Sequence, residues 1–272
     1  MLLELLKGVL GGLRRRLNSP SVQSGTAAPT CLSFVVCSID EARFARLRTN
    51  LEIRLAGQRW ELIRIADARS LAEGYNRGLA RARGEFVVFC HDDIELLQAD
   101  VAARLLAALR TCDVVGVAGS TRLRDSHWIS AGRPHIHGQV VQPGPDGGHV
   151  LNVFCRHAQQ PEAGDIQALD GLFIAARRTV ADALRFDAVN FDGFHLYDLD
   201  FSFRAHRAGY RVGVCHDLLL YHQSTGNKDE VWGRYARHFE DCFAGRLSTD
   251  AGAPAAVYQL RLADKSQDRK ST

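Results

Sequence analysis

The chain has 272 residues, of which 46% are hydrophobic and 24% charged, proportions typical of a folded globular protein. Its net charge is only +3, and the excess lies in the first 17 residues, which carry four basic side chains and one acidic one. The nearly neutral remainder argues against a nucleic-acid-binding protein, whose affinity requires a basic face. No apolar run approaches the ~20 residues that cross a bilayer, so an integral membrane protein is not expected.

The first predicted element is an amphipathic helix within residues 1–17, followed by a small, polar linker; together they occupy residues 1–30. This helix either lies on an anionic membrane surface or docks on protein, and the sequence leaves both interpretations open. A folded domain is expected over residues 31–245, and a polar, loose tail over residues 246–272. The apolar face of the helix is formed by Leu3, Leu6, Leu10, Leu13 and Leu17.

From residue 31 onward, short apolar runs alternate with segments of helical spacing. Strands are predicted at Leu32–Ser38, Glu61–Ala66, Phe86–Cys90 and Val114–Ala118. Helices are predicted at Glu41–Leu55, Ser70–Ala82 and Leu97–Leu109, the second of them with a capping box from Ser70 to Glu73. Repeated strand–helix–strand units with continuously apolar strands predict an α/β fold whose mainly parallel, Rossmann-like sheet is covered by helices on both faces.

The regular pattern breaks at residues 119–165, which are rich in Gly, Pro and His. This segment predicts a β-hairpin or a loop excursion above the edge of the sheet. Regular structure is expected to resume at Ala168–Ala176, continue in a helix over Tyr197–Ala208, and end in a strand at Arg211–Cys215.

Candidate functional residues follow the predicted strands, because ligands of open α/β sheets bind beyond the carboxyl ends of the strands. His91, Asp92 and Asp93 come directly after a buried strand. Two adjacent carboxylates are costly to bury unless a cation neutralises them. Because neighbouring residues of an extended chain point to opposite sides, one acid could hold a metal and the other a sugar hydroxyl. A solvated strand end is the alternative interpretation.

Three further positions are candidates on the same reasoning. Asp67 and Arg69 follow the second strand, where the acid could accept from a base or ribose and the arginine could bind a diphosphate. Asp198 lies in the first turn of a helix, where an ionised carboxylate facing a cleft can act as a general base. His222 becomes a metal-ligand candidate if the chain brings it back near Asp93. Each has a structural alternative: a helix-entry ion pair for Asp67 and Arg69, a charge at a helix N-terminus for Asp198, and an ordinary polar side chain for His222.

Motifs of competing chemistries are absent from the sequence. No GxGxxG follows the first strand, which argues against a dinucleotide oxidoreductase, and there is no Walker GxxxxGK[ST] and no GxSxG. A sugar-phosphate nucleotidyltransferase requires a glycine-rich basic loop after the first strand, and CSIDEARF offers none.

Taken in order, these segments resemble the family-2 glycosyltransferases of GT-A fold, and the likeness covers about residues 31–225. The resemblance is closest to bacterial members that act on surface polysaccharide or glycolipid. The segments that carry it are SFVVCSIDE at 33–41, IADARSLAEGYNRGLARARGEFVVFCHDDIEL at 65–96, LDGLFIAARR at 169–178 and FDGFHLYDLDFSFRAHRAGYRVGV at 191–214.

The resemblance implies a role for each matching position. Asp198 corresponds to the catalytic base, and Asp93 corresponds to the metal-binding acid of the DxD signature, with His222 as a further ligand and His91 as an additional candidate. The residues implied in donor binding are Ser38, Asp40, Asp67, Arg69 and Asp92, and those implied on the acceptor side are Asp170, Gly171 and Tyr197.

Three positions depart from the family pattern. His91 replaces the usual first acid of DxD, Tyr197 replaces the glutamate that commonly precedes the base, and Ala66 replaces the first acid of the second-strand motif. Because Asp93 and Asp198 are both kept, the resemblance still implies an active enzyme. A catalytically silent module that binds a sugar nucleotide or glycan is the alternative, and a membrane-bound scaffold built around residues 1–17 is another.

The resemblance therefore implies an inverting glycosyltransferase that moves a sugar from a nucleoside-diphosphate sugar to a hydroxyl of a glycan or glycolipid, assisted by Mn²⁺ or Mg²⁺. Its expected role is polysaccharide biosynthesis. The seven cysteines include no CxxC pair, and no secretory signal is recognisable, so a cytoplasmic location is expected. If the N-terminal helix lies on a membrane rather than on protein, that membrane would be the inner one, and the helix would be a peripheral anchor.

Overall fold

The structure, a computed structural model, describes residues 31–145, 147–154, 162–224, 226, 229–250, 252–254 and 257–262. The predicted N-terminal helix and linker lie outside the described residues.

The described chain alternates strands and helices in its first half and is richer in strands in its second. The strands are β1 (Cys31–Cys37), β2 (Arg59–Ile65), β3 (Phe86–Cys90), β4 (Ile94–Leu96), β5 (Val114–Gly116), β6 (Ala118–Ser120), β7 (Ile136–Pro143), β8 (His149–Val153), β9 (Glu162–Ala163), β10 (Ala168–Leu169), β11 (Phe173–Arg177), β12 (Val212–Cys215), β13 (Leu220–His222) and β14 (Tyr258–Leu262). The helices are α1 (Glu41–Arg54), α2 (Leu71–Leu79), α3 (Val101–Thr111), α4 (Arg178–Leu184), α5 (Tyr197–Arg207) and α6 (Glu230–Cys242).

The main sheet has the strand order β2-β1-β3-β11-β5-β12-β9. Strands β1, β2 and β3 pair in parallel, as do β5 and β12, whereas β11 is antiparallel to both β3 and β5. Five of the seven strands consequently run in one direction. This confirms the predicted α/β class with a mainly parallel sheet.

The core lies between this sheet and its helices. All five residues of β3, the segment FVVFC, are buried, which explains why its sequence is continuously apolar. An aromatic cluster joins the sheet to α2 and α5: the ring centroid of Tyr75 lies 5.2 Å from that of Phe89, and Phe186 stacks on Phe201 at 4.4 Å. Full burial of such side chains contributes roughly 1.5–3 kcal/mol each.

A second sheet, ordered β10-β6-β7-β13-β4, stands beside the first, and β8 pairs with β7. The β7–β8 pair is the hairpin predicted within residues 119–165. Strand β13 runs antiparallel to β4 with His222 opposite Ile94. Because β4 begins directly after Asp93, this pairing brings His222 back to the end of β3.

Three sequence-based boundaries were wrong. The single strand predicted at Val114–Ala118 divides into β5 and β6, which belong to different sheets. The third helix begins at Val101 rather than Leu97, because Ile94–Leu96 forms β4. The loose tail expected beyond residue 245 contains β14, which pairs antiparallel with β8 and buries Leu262. The residues of Tyr258–Leu262 alternate between apolar and polar, as in many strands, but Leu260 stays exposed, and the partner strand lies more than a hundred residues earlier. None of the helices in the described ranges is long and apolar enough to span a membrane.

Candidate active site

The candidate site lies where the parallel strands β1 and β3 end. The hydroxyl of Ser38, just after β1, donates to Asp92 Oδ2 at 2.7 Å, so the two strand ends are held together. Arg43 of α1 approaches the other oxygen of Asp92 at 3.8 Å. Asp92 is thereby fixed just beyond the carboxyl end of β3. Its side chain is 16% exposed, which leaves it accessible to a polar ligand.

Asp93 points to the opposite side, toward β13. Its Oδ1 lies 3.3 Å from Nε2 of His222, and its Oδ2 accepts a hydrogen bond from the backbone N–H of Ser224 at 3.1 Å. His91 approaches from the same loop, with its Nδ1 3.3 Å from the same Nε2 of His222. One ligand atom from each of His91, Asp93 and His222 lies within 4.8 Å of the others.

These three side chains fit a divalent cation. Ligand atoms bonded to one first-row ion at about 2.0–2.2 Å lie about 3–4 Å apart, and His222 Nε2 lies 3.3 Å from both Asp93 Oδ1 and His91 Nδ1. Metal binding also requires an ionised carboxylate and neutral imidazoles. Burial raises the pKa of Asp93, but the hydrogen bonds from His222 and Ser224 and the interactions with both imidazoles together outweigh it and hold that pKa well below its usual range. Burial lowers the pKa of His91, which favours the neutral imidazole that a metal ion requires.

Tyr197 connects this cluster to the helix that carries Asp198. Its hydroxyl lies 2.9 Å from His91 Nε2 and 3.2 Å from the carbonyl oxygen of Gly171. Gly171 packs directly on α5: a Cβ at this position would lie 2.9 Å from Asp198 Oδ2 and would clash with the tyrosine hydroxyl. The metal candidates and the candidate base therefore belong to one continuous site.

Asp198 lies at the start of α5 and is partly buried. Helix α5 is entered through Leu196, a non-glycine residue in the left-handed region at φ 60°, a conformation that costs energy and is often found at functional sites. Burial raises the pKa of Asp198 to about 7, and the negative charge of Asp170 adds to the rise. A carboxyl group with this pKa can accept a proton near neutral pH.

Asp170 is held by Trp128, whose indole Nε1 donates to its Oδ2 at 3.2 Å, and by the backbone N–H of Leu172, which donates to its Oδ1 at 3.2 Å. Of the residues predicted on the acceptor side, Asp170, Gly171 and Tyr197 thus all lie around Asp198. Their acceptor role stays a prediction.

The other predicted donor residues lie farther out and are engaged by neighbours. The carboxylate of Asp40 caps α1 by accepting from the backbone N–H of Arg43 at 2.9 Å. Asp67 is 76% exposed and pairs with Arg77 at 2.8 Å. Arg69 is 86% exposed and approaches Glu73 at 3.8 Å. Their donor-binding roles stay predictions.

Sequence reasoning missed three residues that shape the site: Arg43, Trp128 and Ser224. Arg43 was missed because it lies in a helix of ordinary composition. Its position one turn after the N-cap Asp40 was the available signal. Ser224, two residues after His222, binds Asp93 through its N–H and approaches His222 Nε2 with its hydroxyl at 3.0 Å. Its closeness to His222 in the sequence was the available signal; Trp128 had none, since its partner is 42 residues away.

The fold is that of the GT-A glycosyltransferases, and a family match shows the class of the protein, a glycosyltransferase. Residues 33–244 match the model of a family described as "Glycosyltransferase like family". Because the match covers most of the chain, the protein belongs to this family.

Individual relatives are more distant. A protein of Fuscovulum blasticum named "ATP synthase subunits region ORF 6" is 29% identical over 234 residues, which cover 79% of this chain and 87% of that protein. Among solved structures, the mannosyltransferase PcManGT of Pyrobaculum calidifontis, in complex with GDP-Man and Mn²⁺, is similar with a TM-score of 0.50 and 16% identity, over 93% of this chain and 73% of that one. GalNAc-T7 with UDP, GalNAc and Mn²⁺ is similar with a TM-score of 0.50 and 10% identity, over 80% of this chain and 50% of that one. At these identities the likeness concerns the fold alone.

Proposed function

We propose that this glycosyltransferase moves a sugar from a nucleoside-diphosphate sugar to a hydroxyl of a glycan or glycolipid, with inversion, in polysaccharide biosynthesis. The observation that carries the proposal is the convergence of a cation-binding cluster and a proton acceptor at one end of the sheet. Asp93, His91 and His222 form the cluster, and Asp198 is joined to it through Tyr197 and Gly171. The two similar solved structures hold a nucleotide or nucleotide sugar with Mn²⁺, which supports the same ligand class here.

In the proposed reaction, Asp198 takes the proton of the acceptor hydroxyl as that oxygen bonds to the anomeric carbon. The bond from this carbon to the diphosphate oxygen breaks, and the nucleoside diphosphate leaves with its electron pair. A divalent cation, when bound, neutralises the diphosphate as a Lewis acid. The residues that would hold it are Asp93, His222 and His91, while Asp92 and Ser38 would contact the nucleotide.

A transfer assay with two variants tests this proposal. We expect Asp198→Asn to bind the donor normally and to lose about 10²–10⁴-fold in transfer rate, because it cannot accept a proton. We expect Asp93→Asn to lose the metal-dependent part of nucleotide affinity. The anomeric configuration of the product, read by NMR, tests inversion.

The same assay separates the enzyme from a catalytically silent module. Donor binding without transfer or donor hydrolysis, unchanged by Asp198→Asn, would contradict the proposed reaction. Arg48→Gln on the exposed face of α1 is a matched control, since the arginine is 56% exposed and faces Glu52.

We also propose that the enzyme works in the cytoplasm, resting on the inner membrane face through residues 1–17. The support is the leucine spacing of this segment and its basic cluster. Co-sedimentation with vesicles containing anionic lipid, compared between the full chain and a chain lacking residues 1–17, tests this location. Equal sedimentation of both chains would contradict it.

A further inference from the structure

Two of the positions that depart from the family pattern are in direct contact. His91 stands where the first acid of DxD is usual, Tyr197 stands where a glutamate commonly precedes the base, and His91 Nε2 lies 2.9 Å from the tyrosine hydroxyl. They are 106 residues apart in the sequence. An acid at position 91 would present oxygen to a cation, whereas the histidine presents nitrogen, so the pair changes the chemistry of the site.

The hydrogen bonds of Tyr197 determine which nitrogen His91 presents. The hydroxyl has one hydrogen, and its neighbours include His91 Nε2, the carbonyl oxygen of Gly171 at 3.2 Å and the hydroxyl of Tyr75. A carbonyl can only accept, and the Tyr75 hydroxyl already donates to the carbonyl oxygen of Cys90 at 3.2 Å. The hydrogen of Tyr197 therefore goes to one of these two oxygens, and the tyrosine oxygen accepts from the N–H of His91. His91 Nδ1 is then left with a free electron pair, and it faces His222 Nε2 at 3.3 Å.

Tyr197 can hold His91 in this orientation because its own ring is fixed. The side chain is buried, and its ring centroid lies 5.6 Å from that of Tyr75 and 6.1 Å from that of Phe186. A hydrogen bond to the remote nitrogen of a ligating histidine commonly sets its tautomer and its ring orientation.

We propose that Tyr197 is a positioning residue that presents Nδ1 of His91 to the cation, and that the resulting site of two imidazoles and one carboxylate selects a transition-metal ion over Mg²⁺. This inference rests on the proposed function, since the same cation would face the diphosphate. Mg²⁺ prefers oxygen ligands and sheds water reluctantly, whereas imidazole nitrogen suits first-row transition ions such as Fe²⁺, Ni²⁺ and Zn²⁺, with Mn²⁺ the weakest binder of that series. Within the site, Asp93 Oδ2 is occupied by the N–H of Ser224, so one carboxylate oxygen faces the two imidazoles.

Direct Mn²⁺ binding tests the ligand set without reference to activity. Free Mn²⁺ is titrated by electron paramagnetic resonance, with and without UDP or GDP, and pulsed spectra count the nitrogen atoms bonded to the ion. The wild-type chain should show two nitrogen couplings, and His91→Ala should show one. His91→Asn serves as a second variant without an imidazole, should the alanine variant fail to fold. A single coupling in the wild type that both variants keep, or no binding with either nucleotide, overturns the proposal.

Tyr197→Phe tests the positioning role, because it removes the hydroxyl and keeps the packed ring. Mn²⁺ affinity should fall about 10–100-fold, as is typical when the partner of a ligating histidine is removed. Tyr235→Phe is the matched control, since it removes a hydroxyl that bonds only Asp192 among the hydrogen bonds described, at 2.6 Å. Unchanged Mn²⁺ affinity and unchanged nitrogen couplings in Tyr197→Phe would overturn the positioning role.

Competition between ions tests selectivity. Co²⁺ should displace Mn²⁺ from the wild-type site, as the general order of affinities for first-row ions predicts, and a hundredfold excess of Mg²⁺ should not. His91→Asp, which restores an oxygen ligand, should shift the ratio of Mg²⁺ to Mn²⁺ affinity toward Mg²⁺ by at least tenfold. Equal competition by Mg²⁺ in the wild type and in this variant would overturn the proposal.

These measurements fail independently of the proposed function. If no nucleotide sugar supports transfer and Mn²⁺ binding still depends on His91 and Tyr197, the proposed reaction is wrong and this inference stands. If transfer proceeds but replacing His91 or Tyr197 leaves Mn²⁺ binding unchanged, the proposed reaction stands and this inference is wrong.

Discussion

Asp93 and Asp198 are both carboxylic acids, yet their surroundings prepare them for opposite tasks. Asp93 is buried, yet its hydrogen bonds and its two imidazole neighbours together keep its pKa far below the ordinary value, whereas burial raises the pKa of Asp198 to about 7. Two carboxylates whose environments separate their pKa values in this way are typical of sites that divide charge stabilisation from proton transfer. The first remains a permanent anion, as a cation ligand must, and the second can accept a proton and release it.

The pKa of Asp198 predicts the pH dependence of transfer. Only the ionised carboxylate accepts a proton, so kcat/KM should fall about tenfold per pH unit below about pH 7 and level off above it. A pH profile from 5 to 9 measures this limb. Asp198→Asn should lose this fall of kcat/KM at low pH together with most of the activity. If the variant is slower but keeps the same fall, the titrating group is not Asp198.

The same shift predicts a gain in stability for Asp198→Asn. Because the folded-state pKa lies above that of the unfolded chain, the folded state keeps a proton that the unfolded state loses, and the free energy of unfolding declines as pH rises from about 4 to 7. The asparagine variant avoids this decline. We expect its free energy of unfolding to exceed that of the wild type by about 1–3 kcal/mol above pH 7 and to equal it near pH 3. Urea unfolding at both pH values measures the difference. If the variant is less stable than the wild type at high pH, burial of the Asp198 carboxylate does not cost stability and the prediction is wrong.

At the scale of elements, helix α5 is positioned by contacts at both of its sides. Asp200 is buried and accepts from Arg204 Nε on Oδ1 at 2.9 Å and from Arg204 Nη2 on Oδ2 at 2.7 Å. Arg204 also donates to the carbonyl oxygens of Leu184 and Arg185 at 3.0 and 2.8 Å. This network joins α5 to the end of α4. On the other side, Gly171 allows α5 to approach the segment before β11 closely enough to place Asp198.

Gly171→Ala should therefore impair catalysis more than stability. The added Cβ would lie 2.9 Å from both Cβ and Oδ2 of Asp198 and against the hydroxyl of Tyr197, so α5 or the tyrosine must shift. Overpacking of this kind costs about 1–3 kcal/mol, while a misplacement of about 1 Å at a reacting group costs up to about 10²-fold in rate. Transfer kinetics and thermal unfolding of the same preparation measure the two effects.

Gly164→Ala is the matched control for this substitution. A Cβ at Gly164 meets nothing within 4 Å, so both activity and melting temperature should match the wild type. Equal behaviour of the two alanine variants would show that the close approach of Gly171 to α5 has no functional consequence.

At the scale of the whole molecule, sequence pattern alone predicted what is local. Contacts that depend on distant pairing were either implied only by the family resemblance, as for His222 beside Asp93, or missed. The run FVVFC followed by His91, Asp92 and Asp93 is readable because a buried strand and its polar end are adjacent in the chain. The contact of His91 with Tyr197 has no such signal, since it forms across the sheet. His222 reaches Asp93 only through the pairing of β13 with β4, a strand of three residues too short for periodicity to reveal. Strand β14 was missed for a related reason, because its partner β8 lies in the irregular segment.

Binding and folding are linked across the whole molecule, and this gives the broadest test of the assignment. A ligand present at a hundred times its Kd stabilises the folded state by about 2.7 kcal/mol, which for a domain of this size raises Tm by about 5–10 °C. In a panel of nucleotide sugars, we expect the true donor to produce this shift with Mn²⁺ and a much smaller one without it. Asp93→Asn should abolish the Mn²⁺-dependent part, whereas Asp198→Asn should retain it, because the base contacts the acceptor side. Equal shifts with and without Mn²⁺ would remove the cation from donor binding, and the cluster of Asp93, His91 and His222 would then be a purely structural feature of the sheet edge.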